Sequence, residues 1–414
     1  MKKTALENWI CETEGVQTLS RRDIETMQLQ KLNALLHRER ERGGFYRSYP
    51  LRLESLEALQ TLPFTTPEDL AAHSGAMLLT SQAEVSRVIT GATSGTTGPA
   101  KRVFYTDRDI GHTVGFFAAG ISELVFPGDR VMVAMPFSGP FGLGDLIARA
   151  VERLGAVPLR TGLGKSYGAL CAELDAEEPA AYIGMPVPLL GLLRFYEAHL
   201  GRPASVRRAL VSGDACPVGV VRQVGAILGT CLFPHYGSRE MCLGGAVTCS
   251  AHAGMHLREN HIIAEIVDDN GAPVPEGTWG ELVITTLDME ALPLLRYRTG
   301  DLTRFMPGPC PCGGVTRRLD SVFRRGPESR MAALDDAMFS VPGLVDFCAE
   351  QKDGAIWLQA LTLQGADAEP LRQAAASAFP GQPVHITARA CRHTDRPCYA
   401  GKRHVIRADA GRMT

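Results

Sequence analysis

The fold is decided by a single stretch, Thr93-Ser94-Gly95-Thr96-Thr97-Gly98-Pro99-Ala100-Lys101. Backbone N–H groups and hydroxyls in a loop so rich in Gly, Ser and Thr can surround phosphate oxygens, and Lys101 adds a positive charge. The stretch is not a Walker A loop, because it contains no Gly-Lys-Ser/Thr triplet at the required spacing from an earlier glycine. It predicts a phosphate-binding loop, and an ordinary surface turn is the alternative for this stretch taken alone.

Two later stretches carry groups that suit the rest of a nucleotide. Tyr236-Gly237-Ser238-Arg239-Glu240 follows a predicted strand and offers an aromatic face for a base and a carboxylate for a hydrated metal ion. Arg296-Tyr297-Arg298-Thr299-Gly300-Asp301-Leu302 places a carboxylate at a tight turn, where it can accept hydrogen bonds from two ribose hydroxyls. A strand end and a charged hairpin are the alternatives when each stretch is taken alone.

The middle of the chain alternates short apolar runs with helical patterns. The runs cover residues 130–136, 180–186, 207–214 and 231–238, and each finishes in a Gly/Pro/Ser/Asp cluster. Helical patterns lie between them at 145–154 and 218–228. Strands that alternate with helices predict an α/β fold with parallel layers, in which ligands bind beyond the carboxyl ends of the strands.

The pattern changes in the last third of the chain. Strand patterns at 261–267, 280–286 and 301–306 predict a strand-rich, antiparallel subdomain on the main domain. After it, a hairpin signal, a helix at 366–379 and a strand at 384–389 predict a compact α+β unit. We therefore predict a large N-terminal domain over residues 1–322 and a small C-terminal lid domain over residues 323–414.

Composition excludes several classes of protein. The 414 residues carry 43 Lys and Arg against 45 Asp and Glu, a formal net charge of −2, so no basic field indicates nucleic acid. The apolar runs are shorter than the roughly 20 residues that a membrane span needs. Eleven cysteines, an odd number, fit reduced thiols better than a disulfide framework. We expect a cytoplasmic protein with no nucleic-acid partner and no membrane span.

One set of residues in the strand-rich part has the chemistry of metal ligands. Cys249, His256, Cys310 and Cys312 offer three thiolates and an imidazole, which complete a closed tetrahedral zinc site with no open position for catalysis. His256 is preferred to His252 as the fourth ligand. The Cys310-x-Cys312 spacing is tighter than the common Cys-x-x-Cys, so buried thiols with a surface histidine are the alternative.

These stretches, in this order and at these separations, resemble the phenylacetate-CoA ligase family of the adenylate-forming superfamily of acyl-CoA synthetases. The first stretch is close to the family's Ser-Ser-Gly-Thr-Thr-Gly loop, and residues 236–240 match its Tyr-Gly-x-Thr-Glu element. Residues 297–301 match its ribose motif, and Gly401-Lys402-Arg403 fits as well. The resemblance covers about residues 29–407 and implies the fold of adenylate-forming enzymes.

The resemblance also implies a two-step reaction. A carboxylate attacks the α-phosphate of ATP to give acyl-AMP and pyrophosphate, and a thiol, coenzyme A, then displaces AMP. The implied cofactors are ATP, Mg²⁺ and coenzyme A, together with a structural Zn²⁺ ion like that of some family members. Glu240 would hold Mg²⁺, and Lys402 would bridge the ribose and the carboxylate. The nucleotide-binding residues would be Ser94, Gly95, Thr96, Thr97, Gly98, Lys101, Gly213, Asp214, Tyr236, Gly237, Ser238, Asp301 and Arg325.

The sequence departs from the family pattern at three places. Arg239 stands where the family has Thr or Ser, so we expect an extra catalytic cation beside the phosphate or the carboxylate. Asp214 replaces the usual Glu of the adenine loop. The family's Gly-Arg-x-Asp-Asp hinge appears as Arg324-Arg325-Gly326-Pro327-Glu328, in which proline fixes φ, and the segment that follows is shortened. Adenylation is therefore better supported than thioester formation.

The acid and its acceptor stay open at the level of sequence. Position in the family pattern assigns the acid pocket to Phe137, Phe141 and Met185. The rings of Phe137 and Phe141 favour an aromatic acid, with ordinary core packing as the alternative for either one. One rival is an adenylate-forming enzyme that does not use coenzyme A and keeps the acyl-AMP or passes it, or AMP, to a carrier protein or a cofactor. A second rival is a non-catalytic nucleotide-binding protein on the same fold. A homodimer is common in the resembled family.

Overall fold

The computed structural model describes residues 4–91, 100–139, 141–228, 232–324, 327–364 and 367–407. Within these ranges the helices are α1 (Ala5–Glu14), α2 (Arg21–Glu41), α3 (Pro67–His73), α4 (Asp107–Ile121), α5 (Leu143–Arg153), α6 (Tyr167–Glu177), α7 (Pro186–Leu200), α8 (Val218–Leu228), α9 (Pro327–Phe339) and α10 (Ala368–Ala378). The strands are β1 (Arg87–Gly91), β2 (Lys101–Tyr105), β3 (Arg130–Ala134), β4 (Val157–Leu159), β5 (Ala181–Gly184), β6 (Arg208–Val211), β7 (Leu232–Tyr236), β8 (Ala246–Thr248), β9 (Met255–Leu257), β10 (Ile262–Val267), β11 (Gly280–Thr286), β12 (Tyr297–Thr303), β13 (Arg318–Leu319), β14 (Phe323–Arg324), β15 (Leu344–Lys352), β16 (Ala355–Thr362), β17 (Val384–Ala390) and β18 (Ile406–Arg407). None of the described helices is both long enough and apolar enough to cross a membrane.

The chain forms two compact units. The first is built from the chain up to Glu123 together with His235–Val322, and the second from Leu124–Pro234 together with the chain from Phe323 onward. The predicted boundary after residue 322 coincides with a boundary between the units. The segment after it groups with residues 124–234, and the division into a main domain and a lid domain stays a prediction.

The second unit contains the predicted parallel sheet. Its strands lie in the order β4-β3-β5-β6-β7, all parallel, and α5 to α8 connect them in turn. Strands β3, β5, β6 and β7 fall on the four predicted apolar runs. Strands β3, β5 and β6 are almost wholly buried, because helices cover a parallel sheet. Their carboxyl ends lie at one edge, which is the edge where α/β sheets bind ligands.

The C-terminal segment of the second unit shares a hydrophobic core with α7. Strands β17, β16, β15 and β18 form its sheet, in that order. Leu190 and Phe195 of α7 belong to the same buried cluster as Leu344 and Phe347 of β15. Arg194, also on α7, donates hydrogen bonds to the carbonyl oxygens of Leu344 (2.5 Å) and Phe339 (3.1 Å).

The first unit is mainly antiparallel in its later part. Strands β10, β11 and β12 form one sheet, and the last two residues of β7 pair with β8, which continues to β9 and β13. The strand predicted over residues 301–306 is wrong in its bounds, because β12 begins at Tyr297 and ends at Thr303. The strand bends at Gly300, which has a left-handed backbone (φ 74°). The pairing of β12 with β11 shifts register between Glu281 and Val283, so the strand continues past the bend.

Candidate active site and metal centre

A buried ion pair joins two residues that the motifs assign to phosphate and Mg²⁺. Lys101 is the first residue of β2, and Glu240 lies in a short 3₁₀ turn, Arg239–Met241, that follows β7. Lys101 Nζ lies 2.7 Å from Glu240 Oε1 and 3.2 Å from the hydroxyl of Tyr297. The intervening loop residues Ser94, Gly95, Thr96, Thr97 and Gly98 lie outside the described residues.

The charge of Lys101 keeps Glu240 ionised despite burial. Glu240 is only 8% exposed. Burial alone would raise the pKa of this carboxyl, but the nearby Lys101 ammonium and its hydrogen bond lower the pKa below its usual value. The site therefore presents a carboxylate at neutral pH, the oxygen ligand that a hard divalent cation requires.

Tyr236 and Asp301, assigned to adenine and ribose, lie together in the first unit. The Tyr236 hydroxyl donates to Asp301 Oδ2 at 2.7 Å. Glu281 shapes the bend that carries Asp301, because its carboxylate accepts hydrogen bonds from Gly300 N at 3.1 Å and from Arg298 Nε at 3.1 Å. Hydrogen bonds therefore hold both the side chain of Asp301 and the bend that carries it.

The turn that carries Glu240 depends on close backbone packing at Gly237. A Cβ at position 237 would collide with the carbonyl oxygen of Leu243, so only glycine fits there. Cys242 and Leu243 both have left-handed backbones, with φ of 54° and 63°. Such strained residues are tolerated where the surrounding structure holds them, and they cluster at functional sites. Ser238 contributes to the same turn by accepting the Leu243 N–H at its carbonyl oxygen (2.8 Å).

Arg239 is exposed and lies against Gly91, the last residue of β1. Its guanidinium occupies the space beside Gly91, so a side chain at position 91 would collide with it. Its carbonyl oxygen accepts a hydrogen bond from the buried Tyr105 hydroxyl at 2.7 Å. Gly91 pairs with Lys101 across β1 and β2, so Arg239 and Lys101 both lie near the end of this strand pair.

In the second unit, residues predicted for the acid pocket follow the carboxyl ends of parallel strands. Met185 follows β5 and is buried. The side chains of Met185 and Met135 would both contact a Cβ placed at Gly213. Phe137 is half-buried and lies under the guanidinium of Arg160, 4.2 Å from its ring centroid. Phe141 is also half-buried.

Lys402 lies in the second unit beside Asp214. The Lys402 side chain is exposed, and the next residue, Arg403, donates its backbone N–H to Asp214 Oδ2 at 2.8 Å. Burial is the main influence on Asp214 and raises the pKa of its carboxyl, although Arg403 and Lys402 oppose that rise. Arg325 lies outside the described residues.

The structure brings the four predicted zinc ligands together. The ligand atoms of Cys249, His256, Cys310 and Cys312 all lie within 4.8 Å of one another. Sγ of Cys249 is 3.8 Å from Sγ of Cys310, and Sγ of Cys312 is 3.4 Å from Nε2 of His256. Zn–S bonds of about 2.3 Å and Zn–N bonds of about 2.0 Å give nearly these separations in a tetrahedron. The histidine in this cluster is His256, not His252.

A hydrogen-bond chain from the first helix orients His256. The buried Thr316 hydroxyl lies 3.3 Å from a carboxylate oxygen of Glu7, to which it can donate, and 2.8 Å from Nδ1 of His256. A hydroxyl whose proton goes to a carboxylate accepts at its other side, so Nδ1 carries the imidazole proton. The lone pair of Nε2 then faces the thiols, as a metal ligand requires.

Burial also keeps His256, Cys249 and Cys312 uncharged in the absence of a cation. It lowers the pKa of His256 to about 4, so the imidazole is neutral at pH 7. It raises the pKa of the Cys249 thiol and raises that of Cys312 to about 12. A bound metal ion would therefore release protons from the thiols.

The motifs missed several residues that the site uses. Tyr297 stood in a quoted stretch, yet its hydroxyl was not recognised as a partner of Lys101. Glu281 stood in a Gly-Glu-Leu triplet after a turn signal, a position that could have indicated it. Nothing near Glu7 or Thr316 in the sequence indicates their contact, because 309 positions separate them.

Comparison with known proteins agrees with the predicted fold and family. The family model described as AMP-binding enzyme matches residues 88–289. Phenylacetate-coenzyme A ligase of Thermus thermophilus is 31% identical over 330 residues, which cover 75% of this chain and 72% of that protein. The protein of the same name from Escherichia coli is 30% identical over 329 residues, covering 75% of this chain and 73% of that protein.

A solved structure shows the same fold. A 2-hydroxyisobutyryl-CoA ligase in its postadenylation state has a TM-score of 0.77 at 20% identity, over 95% of this chain and 91% of that chain. The family model and these relatives define an adenylate-forming, AMP-binding enzyme. Within that class, the chain belongs to the phenylacetate-CoA ligase family. The predicted fold class and family are confirmed.

The packing at Gly237 yields a testable prediction. Gly237→Ala should lower the free energy of unfolding by about 1–3 kcal/mol, because the new Cβ displaces the turn that carries Glu240. Urea denaturation of the full chain measures the change. Gly111→Ala is the matched control: it adds a methyl group in open space on the exposed face of α4 and should stabilise by up to about 1 kcal/mol. Equal effects of the two substitutions would contradict the close packing.

Proposed function

We propose that this protein joins an aromatic carboxylic acid to coenzyme A in two steps, through an acyl-AMP made from ATP. Membership of the family gives the reaction class, an AMP-forming ligation of an acid to coenzyme A. The observation that carries the proposed adenylation site is the contact between Lys101 and Glu240, beside Tyr297. A cation next to an ionised carboxylate suits phosphate oxygens and a hydrated metal ion, and this supports the roles that the family resemblance implies for the two residues.

In this proposal the Lys101–Glu240 pair is the resting form of the phosphate site. With ATP bound, Lys101 would bind the phosphate oxygens and Glu240 would hold Mg²⁺. When bound with ATP, Mg²⁺ would supply positive charge to the phosphates as pyrophosphate leaves. Asp301 accepts the ribose hydroxyls, and the Tyr236 ring lies against the base. The existing hydrogen bond between Tyr236 and Asp301 supports the last two roles.

Two further cations act on the carboxylate and the α-phosphate. Attack of one anion on another is slow unless fixed cations and donors neutralise the charge that gathers in the transition state. We assign Lys402 to this task, with Arg239 as an additional cation beside Gly91. Phe137 and Met185, which follow β3 and β5, are proposed to contact the aromatic part of the acid.

The first test is acid-dependent exchange of labelled pyrophosphate into ATP, with a panel of aryl and fatty acids and then with coenzyme A. The proposal predicts exchange with an aryl acid and faster AMP release on addition of coenzyme A. Exchange without that stimulation would contradict the use of coenzyme A and favour another acceptor, such as a carrier protein. The absence of exchange with every acid would contradict adenylation and favour a non-catalytic nucleotide-binding protein.

Substitution of Lys402 tests its role in the same assay. Lys402→Ala should slow pyrophosphate exchange by about two or more orders of magnitude, because the transition state loses a fixed cation. Lys352→Ala removes another exposed lysine of the C-terminal segment and should leave the rate unchanged. Near-normal exchange in Lys402→Ala would rule out the assigned role.

We further propose that Cys249, His256, Cys310 and Cys312 hold a structural zinc ion. Three thiols and one neutral imidazole fill all four positions of a tetrahedral site, so the ion stabilises the fold and takes no part in the reaction. The separations of the ligand atoms and the orientation of His256 by Thr316 support this assignment.

Metal analysis tests the zinc site. Mass spectrometry of the purified protein should find about one zinc per chain. Thr316→Val removes the hydroxyl that orients His256 and should weaken zinc binding about ten- to a hundredfold in a chelator competition. Thr387→Val, at an exposed position on β17, is the control and should have no effect. A folded preparation that contains no zinc and takes none up would refute the site.

A further inference from the structure

The residue after Lys402 is a buried arginine to which the sequence analysis assigned no role. The Arg403 side chain is 4% exposed. Its Nη1 donates to Asp346 Oδ1 at 2.8 Å and its Nε to Asp335 Oδ1 at 3.0 Å. Its Nη2 donates to the carbonyl oxygen of Phe347 at 3.0 Å. Because Asp335 lies on α9 and Asp346 on β15, one side chain ties the Lys402 segment to a helix and a strand.

Aromatic side chains complete the enclosure of Arg403. The guanidinium carbon lies 4.7 Å from the ring centroid of Phe347 and 4.8 Å from that of Tyr399. The Tyr399 hydroxyl donates to the carbonyl oxygen of His404 at 2.8 Å and accepts from Ala349 N at 3.1 Å. The chain is therefore held on both sides of Lys402.

The backbone of Arg403 is also fixed, through Asp214. Oδ2 of Asp214 accepts the Arg403 N–H at 2.8 Å, and Oδ1 accepts the N–H of Ala215 at 2.8 Å. The loop after β6 is thus joined directly to the residue that follows Lys402. Asp214, assigned to the adenine loop by its position in the family pattern, uses both carboxylate oxygens in these contacts.

We propose that Arg403 is a positioning residue for adenylation, which fixes the backbone of Lys402 through Asp335, Asp346 and Asp214. The inference rests on the proposed function of Lys402. The exposed Lys402 side chain has a long, flexible stem, and a cation accelerates a reaction only where it is held in place. The buried arginine holds the backbone from which the Lys402 side chain extends, and it does so without touching the reacting atoms.

Kinetic comparison of variants tests this role. Arg403→Lys keeps the charge but loses the planar fork that bonds two carboxylates. It should lower kcat for pyrophosphate exchange about ten- to a hundredfold, while KM for ATP and for the acid changes less than about twofold. Arg389→Lys, at an exposed arginine with a two-point contact to Asp395, is the matched control and should have no effect. An increase in KM with unchanged kcat would contradict the positioning role.

A double-mutant cycle separates positioning from general stability. If Arg403 acts through Lys402, Arg403→Lys should change the residual rate of Lys402→Ala less than about twofold. An equal fold-loss in both backgrounds would overturn the inference. Tyr399→Phe serves as a second variant of nearly unchanged volume. It removes the hydroxyl bond to His404 and should reproduce the loss of kcat in weaker form, about three- to tenfold; an unchanged kcat would contradict the inference.

Hydrogen exchange distinguishes failure of this inference from failure of the proposed function. Arg403→Lys should speed amide exchange of the peptide over residues 399–406 about tenfold or more, and Arg389→Lys should not. Unchanged exchange of that peptide, in a protein whose wild type is active, would overturn the positioning role alone. If no acid supported pyrophosphate exchange in the wild type, that result would instead refute the proposed function, and with it the role of Arg403 in adenylation.

Discussion

The first unit depends on one interaction more than on any other, the 2.7 Å ion pair between Lys101 and Glu240. Burying two charges costs hydration energy, and such a pair persists only with good geometry and additional hydrogen bonds. Tyr297 supplies a third polar group, and the close packing at Gly237 places Glu240. Because removal of one partner would leave an uncompensated charge in the interior, the pair also holds β2 and the turn after β7 in place.

A second arrangement, in the other unit, follows the same physical logic. Arg403 is buried among carboxylates and rings, and it gives a defined position to a backbone that carries an exposed lysine. In each unit a charged side chain with several hydrogen bonds fixes the place of a group with a proposed role in catalysis. The proposed zinc site is organised likewise, since Glu7 fixes Thr316 and Thr316 fixes the tautomer of His256.

Much of this could be predicted from the sequence, because it depends on local patterns. Strands β3, β5, β6 and β7 are short apolar runs that end in turn residues, and a parallel sheet requires such runs. The contact between Tyr236 and Asp301 joins two quoted stretches, and the candidate metal ligands were predicted from their residue types together with the family resemblance. Family resemblance supplied the roles of Glu240 and Lys402, which residue types by themselves left open.

The rest could not be predicted, because it depends on contacts between distant parts of the chain. Arg403 has the sequence context of an exposed residue near a terminus, and its burial follows only from Asp335 and Asp346. The bounds of β12 were missed because Gly300 reads as a turn, whereas Glu281 on the neighbouring strand lets the strand continue through it. The hydrogen bond from Thr316 to Glu7 likewise has no local signal.

The central claim, that the Lys101–Glu240 pair is the resting form of a phosphate and Mg²⁺ site, is tested most directly by calorimetric titration of ATP. The titration is made with and without Mg²⁺, in wild type, in Glu240→Gln and in the exposed control Glu276→Gln. The account predicts that Mg²⁺ tightens ATP binding in wild type and in the control. In Glu240→Gln that dependence should be lost, and ATP without Mg²⁺ should bind more tightly than in wild type, because Lys101 is no longer paired. The account would be contradicted if Mg²⁺ tightened ATP binding to Glu240→Gln as much as to the wild type.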